Sequence, residues 1–538
     1  MKGRKILHFL LAVVFVLGMT ACAGGPQASQ APQGGSPSAE APSAEKTYAD
    51  KITISMSVLD AEKSGKTAKN EWFNKKFNVQ WKYIPVTWGD WAEKVRAWIS
   101  ADDIPDLLWW DMKLAHTAEF RNWATQGAFR EIPADLSKWP EMAKQRELLV
   151  SDDKVLTVDG KLYGWSAYRN NPEWLQNAYY PLFAYRRDWA KAVGLYKEGD
   201  TYTWDEVKAM IKKVKEQDPG KNGAGNTFGI TSETWAFPGV FMEVLGYAND
   251  RNGYVKGSDG KWMPLIQTPE FLQELSFVTA LYREGYIWKD QMSVTGSEGY
   301  DNFAAGRSFM FLGNNSPSWF NGLYTKMLDS KMITSTDQAA PMIVASPKDN
   351  KSFWLTQTED YWTVTNFSHK MDDKKMERVL DMWNWLLTED GRKFRVAGIP
   401  DTDYTANADG TMTIKWEKNA DGSYKSPYAD QAFNEFTPPT LLKAPTETDR
   451  TDGFKAFEAL DKFMQTSPDY HVHPLNWELN TFGGDNFAKF GAFSSDTTTK
   501  VKEILAATDD PATMWKAFLD EVLPKMQPVL DELNAGLK

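Results

Sequence analysis

Lys51-Ile52-Thr53-Ile54-Ser55-Met56-Ser57-Val58 alternates apolar with polar residues, the period of a strand with one buried face. Working outward, residues 67–77 repeat at helical spacing, residues 79–84 alternate again, and residues 90–99 give a second helical stretch. Ile104-Pro105-Asp106-Leu107-Leu108-Trp109-Trp110-Asp111 then reads as a third strand. Strand, helix, strand, helix, strand is the order of a parallel α/β lobe. Such sheets bind ligands beyond the carboxyl ends of their strands. Asp60, Glu62, Trp109, Trp110 and Asp111 lie at or after strand ends and are therefore candidates for ligand contact.

Ahead of this lobe, a basic start (Lys2, Arg4, Lys5) precedes an apolar run over residues 6–17 and then Gly18-Met19-Thr20-Ala21-Cys22. Those are the three regions of a secretory signal, and the run is shorter than the about 20 residues that span a bilayer. A cysteine directly after small residues resembles a bacterial lipoprotein signal, which implies loss of residues 1–21 and a lipid on Cys22. Cys22 is the only cysteine among 538 residues, so the mature chain is expected to hold no internal disulfide. Residues 22–47, rich in Ala, Pro, Gly, Ser and Gln, read as a disordered tether.

The net charge is −11 before the signal's three positive charges are removed. That balance argues against nucleic acid or an anionic surface as partner. The chain also carries 24 Trp against 20 Tyr. Trp is seldom fully buried, and flat rings with a polar edge suit the faces of sugars, so some of these indoles are expected at a cleft.

Farther along, residues 159–165 read as a turn feeding a strand, and residues 182–189 as a strand running into a helix. Thr203 with Glu206 three places on is the pattern of a capping box. Residues 268–284 form a helix opened by Pro269, and a helix over 372–387 is expected to stop at Gly391. In order, Gly160-Lys161-x-Tyr163-Gly164, Tyr185-Arg186-Arg187-Asp188-Trp189, Thr203-Trp204-Asp205-Glu206 and Asp218-Pro219…Asn222-Gly223…Thr227-Phe228-Gly229 appear first. Leu281-Tyr282-x-Glu284-Gly285, Phe303…Gly306-Arg307…Met310, Trp385…Gly391 and Ala397-Gly398-Ile399 follow. Together these segments resemble the extracellular solute-binding proteins, lipid-anchored receptors of ABC importers. The style is similar to the large oligosaccharide-binding lipoproteins of Gram-positive bacteria.

The resemblance implies an α/β fold of two lobes, like the periplasmic binding proteins, with a hinge and an interlobe cleft. It implies a first lobe over residues 48–170, a second over 171–362, a return to the first over 363–455, and helical segments over 456–538 packing on the second. It also implies capture of a carbohydrate, in oligosaccharide form, and delivery to ABC permease subunits. The chain is expected to do no chemistry, need no cofactor and act as a monomer. The ligand-contacting residues implied are Trp235, Trp319, Glu233, Trp110, Asp111, Trp165, Tyr168, Arg169, Asn314, Tyr361, Trp362 and Asp60. Trp235 and Trp319 lead that set, and Arg169 or Arg187 would suit a uronic carboxylate.

Other readings stay open beside this one. A surface-anchored glycoside hydrolase or polysaccharide lyase would need carboxyls set across a cleft, and the adjacent acid pairs here do not suggest that. An adhesion or sensor protein on the same fold is a third reading. Residues 218–229 resemble a calcium loop short of ligands, because Gly220 and Gly229 offer no side-chain oxygen. His471 and His473 could share one face of a strand, but no third metal ligand accompanies them.

Overall fold

The structure is a computed structural model. It describes residues 46–538 apart from 60, 111–113, 148–153, 167–181, 248–252, 314–316, 357–362, 408–411, 419–423, 429–430, 437–451, 474–475, 491–493 and 538. Cys22, Asp60, Asp111, Tyr168, Arg169, Asn314, Tyr361 and Trp362 lie outside the described residues.

Strand Ile52–Leu59 forms as its alternation predicts, with Ile54, Met56 and Val58 fully buried. It pairs in parallel with Val79–Val86 on one side and Leu107–Trp110 on the other. Helix Ala68–Phe77 links the first pair; its capping box is made by Thr67 and Asn70, and Asn78 ends it in the left-handed region. The polar positions of the alternation are used as clamps. The Ser57 hydroxyl donates to the Trp109 carbonyl and accepts from the Trp109 amide. Asp106 accepts from both the amide and the hydroxyl of Ser55 and is paired with Lys375 at 2.9 Å.

Strand Val364–Ser368 enters this sheet from far downstream, antiparallel to Leu107–Trp110. It also pairs with Phe129–Arg130 and Gly164–Ser166. Asn366 is buried at the junction. It accepts from the Trp110 indole at 2.6 Å and donates to the Tyr163 carbonyl at 2.7 Å. Helix Asp373–Leu387 then covers the sheet with Met376, Val379, Leu380, Trp383 and Leu386. It ends before Gly391. Thr388 closes this helix and caps the next, Glu389–Ala397. Gly391 lies inside that second helix, where a Cβ would stand 2.0 Å from the Trp385 carbonyl oxygen. Its glycine therefore serves close helix contact rather than termination.

The second sheet runs in the order Phe228–Ser232, Ser308–Gly313, Leu182–Arg186, Ala339–Val344 and Thr201–Tyr202. Its first two strands are parallel, while Leu182–Arg186 is antiparallel to both of its neighbours. Helices Trp204–Gln217 and Pro269–Arg283 supply buried apolar faces to it. The two sheets, each with its own apolar core, define the two lobes.

The C-terminal helix Pro511–Gly536 packs on the second lobe. Trp515 stacks on Phe271 with centroids 5.0 Å apart, and its indole donates to the Ile266 carbonyl. The segment before it reaches the first lobe as well. Trp477 lies against the first lobe's core with the Lys154 ammonium 5.5 Å from its ring. Helix Asp485–Phe490 touches both Pro511–Gly536 and Leu114–Thr125 of the first lobe. Among the described residues, no helix is long and apolar enough to cross a membrane.

Candidate functional site

Two adjacent parallel strands of the second lobe, Phe228–Ser232 and Ser308–Gly313, end side by side, with Ser232 opposite Leu312. The end of the first is held from several directions. Buried Gln291 bonds both the amide and the carbonyl of Ser232, at 2.8 and 2.9 Å. The Glu233 amide donates to the Leu312 carbonyl at 2.9 Å. Helix Glu298–Ala304 approaches so closely that a Cβ on Gly299 would stand 2.1 Å from the Ser232 carbonyl oxygen. A backbone this constrained sets the side chains that follow it.

Those side chains are Glu233 and, on the short 3₁₀ turn Thr234–Ala236, Trp235. The Trp235 indole donates to the Glu233 carboxylate at 2.7 Å while its ring remains 42% exposed. Burial pushes the Glu233 carboxyl above the ordinary glutamate value, and the indole bond only partly opposes that. On the neighbouring strand end, a Cβ on Gly313 would meet the Glu233 side chain at 3.0 Å, so the glycine leaves room for it. Trp319, half-buried in helix Pro317–Asp329, stacks on Phe311 at 5.4 Å and meets Tyr300 edge-on at 5.4 Å. Burial raises the Tyr300 phenol, with Asp301 and Glu233 adding to the effect. The structure thus brings Glu233, Trp235, Tyr300 and Trp319 to neighbouring strand ends. Trp319 keeps one face on its own lobe.

The first lobe departs from expectation at two indoles. Trp110 and Trp165 are each 2% exposed and sit in the core. Trp110 donates to Asn366 and packs on Trp123, while Trp165 packs on Trp383. Trp109 is buried against Trp91. All three are part of the strands themselves, where helices cover the sheet, so they are not cleft residues. Glu62 is exposed in the turn Ala61–Lys63 after the first strand.

Two residues at the carboxyl ends of these strands were not among the expected contacts. Trp88, 68% exposed, follows strand Val79–Val86 and meets Trp91 edge-on at 5.6 Å. The alternation placed that strand's end at residue 84, which hid Trp88's position. Glu435, on helix Gln431–Phe436, accepts from the Leu59 amide at 3.2 Å. No local signal marks it, because 376 residues separate the pair.

Arg187 is committed elsewhere. It pairs with Asp200 at 2.6 Å at its strand–helix junction. The loop weighed for calcium is filled by its own hydrogen bonds. The Asp218 carboxylate accepts from the amides of Asn222 and Gly223 and from the Thr227 hydroxyl, which holds it below the usual aspartate range. Asn222 ties the loop to the Gly306 carbonyl at 2.9 Å. A Cβ at Gly229 would stand 2.2 Å from the Tyr286 carbonyl oxygen, and one at Gly220 would stand 2.6 Å from the Trp189 ring. Neither position has room for the acidic side chain that calcium needs there, so the residues do not fit the ion. His471 and His473 both face the Trp354 ring, His473 stacked at 4.2 Å. Among the described residues, no group of three metal-ligating side chains occurs.

Residues 57–393 match the bacterial extracellular solute-binding protein family, and the chain belongs to that family. It is a binding protein and not an enzyme. Two relatives from Bacillus subtilis (strain 168) align with it. The polygalacturonan/rhamnogalacturonan-binding protein YtcQ is 23% identical over 77% of this chain and 77% of its own. Lipoprotein LipO is 24% identical over 62% of this chain and 66% of its own. The crystal structure of the alginate-binding protein AlgQ2 without calcium ion superposes with a TM-score of 0.65 at 15% identity, covering 91% of this chain and 99% of that one. At that identity the likeness establishes the two-lobe fold.

Proposed function

We propose that the chain is anchored by a lipid on Cys22 outside the cytoplasmic membrane, captures an oligosaccharide between its lobes and delivers it to the permease subunits of an ABC importer. The observation that carries this reading is Trp235, an indole 42% exposed just past a strand end while its edge is fixed by Glu233. Trp319, on the neighbouring strand's following helix, supplies a second ring. Sugar recognition asks for flat apolar faces beside groups that satisfy hydroxyls, and a site built to bond hydroxyls rejects ligands lacking them. The names of YtcQ and AlgQ2, both binders of polysaccharides, support a carbohydrate ligand. LipO's name supports the lipid anchor. Asp60, Asp111, Tyr168, Arg169, Asn314, Tyr361 and Trp362 remain in the proposed contact set, to which Trp88 is added.

Titration calorimetry of the soluble body against a panel of neutral and uronic oligosaccharides tests the reading. At least one should bind, and Trp235→Ala and Trp319→Ala should each weaken it at least tenfold. Unchanged affinity in both variants would remove the site. Radiolabelled palmitate should enter the full chain, and Cys22→Ala should abolish the label.

A further inference from the structure

We infer that the subsite formed by Glu233 and Trp235 takes an uncharged sugar ring and turns away a uronate, with Glu233 as the residue that sets this choice. The inference rests on the carbohydrate reading above and specifies which sugars that reading admits.

Three observations carry it. Among the described residues, the Glu233 carboxylate receives one side-chain hydrogen bond, from the Trp235 indole to its Oε2 atom. Among the described residues, no donor reaches Oε1 and no Lys, Arg or His forms an ion pair with this carboxylate. Lys326, 4.6 Å from the Tyr300 ring, is paired with Asp301 at 2.8 Å. Glu233 is thus a half-buried carboxylate with an acceptor oxygen to spare and, among the described residues, no cation paired with it.

The second observation is orientation. The indole edge is tied to the carboxylate, so Glu233 and the rim of the Trp235 ring are held together. A sugar lying on the exposed part of the Trp235 indole would bring its peripheral hydroxyls to Glu233. A hydroxyl donating to a carboxylate makes one of the shorter and stronger hydrogen bonds.

The third is charge. A sugar carboxylate at this position would meet Glu233 across a partly desolvated gap with no described cation between them. Like charges so placed raise the cost of keeping both ionised, and specificity arises as much from such repulsion as from attraction. If the natural ligand carries uronic units, they occupy other subsites.

The experiment compares an oligogalacturonate with its fully methyl-esterified form. The two share rings and linkages and differ in charge. Calorimetry is run on the wild type, Glu233→Gln and Trp235→Ala, with a neutral hexose oligosaccharide as a third probe. The wild type should bind the ester or the neutral probe at least tenfold more tightly than the free acid. Glu233→Gln should lose at least tenfold toward the uncharged ligands and narrow or reverse the preference. The glutamine variant keeps the side-chain shape, and a melting curve matching the wild type verifies its fold. Equal or tighter wild-type binding of the free acid, unaffected by Glu233→Gln, overturns the inference while leaving the carbohydrate reading intact. If Trp235→Ala leaves every affinity unchanged, or no probe binds the wild type, the carbohydrate site fails and the inference fails with it.

Discussion

At the residue scale, position relative to the end of a strand separates the indoles that stay exposed from those buried in the core. Trp110 is the last residue of its strand and Trp165 the middle of another, and helices cover both. Trp235 lies beyond its strand, in a short 3₁₀ turn, and stays 42% exposed. A sequence reveals where a strand stops to within a residue or two, but not which neighbouring element closes over it. That is why the place of Trp235 just past its strand could be read, while Trp110 and Trp165 were expected at a cleft yet are buried, and Glu435 gave no signal. The buried pair should behave as core. Trp165→Ala should lower unfolding free energy by about 3–5 kcal/mol in denaturant titration, a cost Trp235→Ala should not share. Glu233 adds a pH signature. Its carboxyl is raised by burial, so acidification protonates it earlier than an ordinary glutamate and removes the acceptor. Affinity for an uncharged oligosaccharide should therefore fall on the acid side, and that decline should flatten in Glu233→Gln.

At the scale of elements, helix bounds were readable at both ends, the expected 67–77, 268–284 and 372–387 being Ala68–Phe77, Pro269–Arg283 and Asp373–Leu387. Thr67, Thr203 and Thr268 cap their helices through side-chain bonds that need only three residues of context. Gly391, expected as a stop, is instead demanded by contact with the preceding helix, a tertiary cause with no local mark. The 218–229 loop makes a sharper case. Its likeness to a calcium loop was plain, but the steric closure at Gly229 was not. Neither calcium nor a chelator should shift the melting temperature, whereas Asn222→Ala should lower stability by about 1 kcal/mol through loss of its side-chain hydrogen bonds.

Strand Tyr470–His473 pairs with Phe353–Thr356 and places His473 against Trp354. Burial, with smaller contributions from Lys348 and His471, depresses the His473 pKa from 6.5 to about 4. The unfolded chain therefore binds more protons than the folded one between those values. Stability attributable to this group is fully present above pH 6.5 and declines as pH falls toward 4, by about 3 kcal/mol in all. Melting curves from pH 7 to 4 should show that decline, and His473→Phe should reduce it.

At the scale of the whole molecule, the amino-terminal half of the first lobe was legible because consecutive elements are spatial neighbours there. The sheet's completion was harder to read, since the strand that joins Leu107–Trp110 to the far edge arrives after the second sheet has been traced. The resemblance implied helical segments over 456–538 packing on the second lobe; the segment bearing Trp477 and helix Asp485–Phe490 also touches the first. Helix faces show that they must be covered, but not by which lobe. Ligand binding to a hinged pair of lobes should be visible in bulk. At a hundredfold excess over its Kd, a bound oligosaccharide should add about 2.7 kcal/mol to stability, and small-angle scattering should register a smaller radius of gyration.

Strand Val364–Ser368 also dictates a calendar for biogenesis. A polypeptide emerging amino end first presents Leu107–Trp110 with one flank unmatched until more than 250 further residues have appeared. Distant pairings of this kind slow folding and leave an adhesive border uncovered meanwhile. The downstream sheet has its strands within residues 182–344 and can assemble sooner. Maturation would then run against the order of synthesis, with the earliest-made portion the last to become complete.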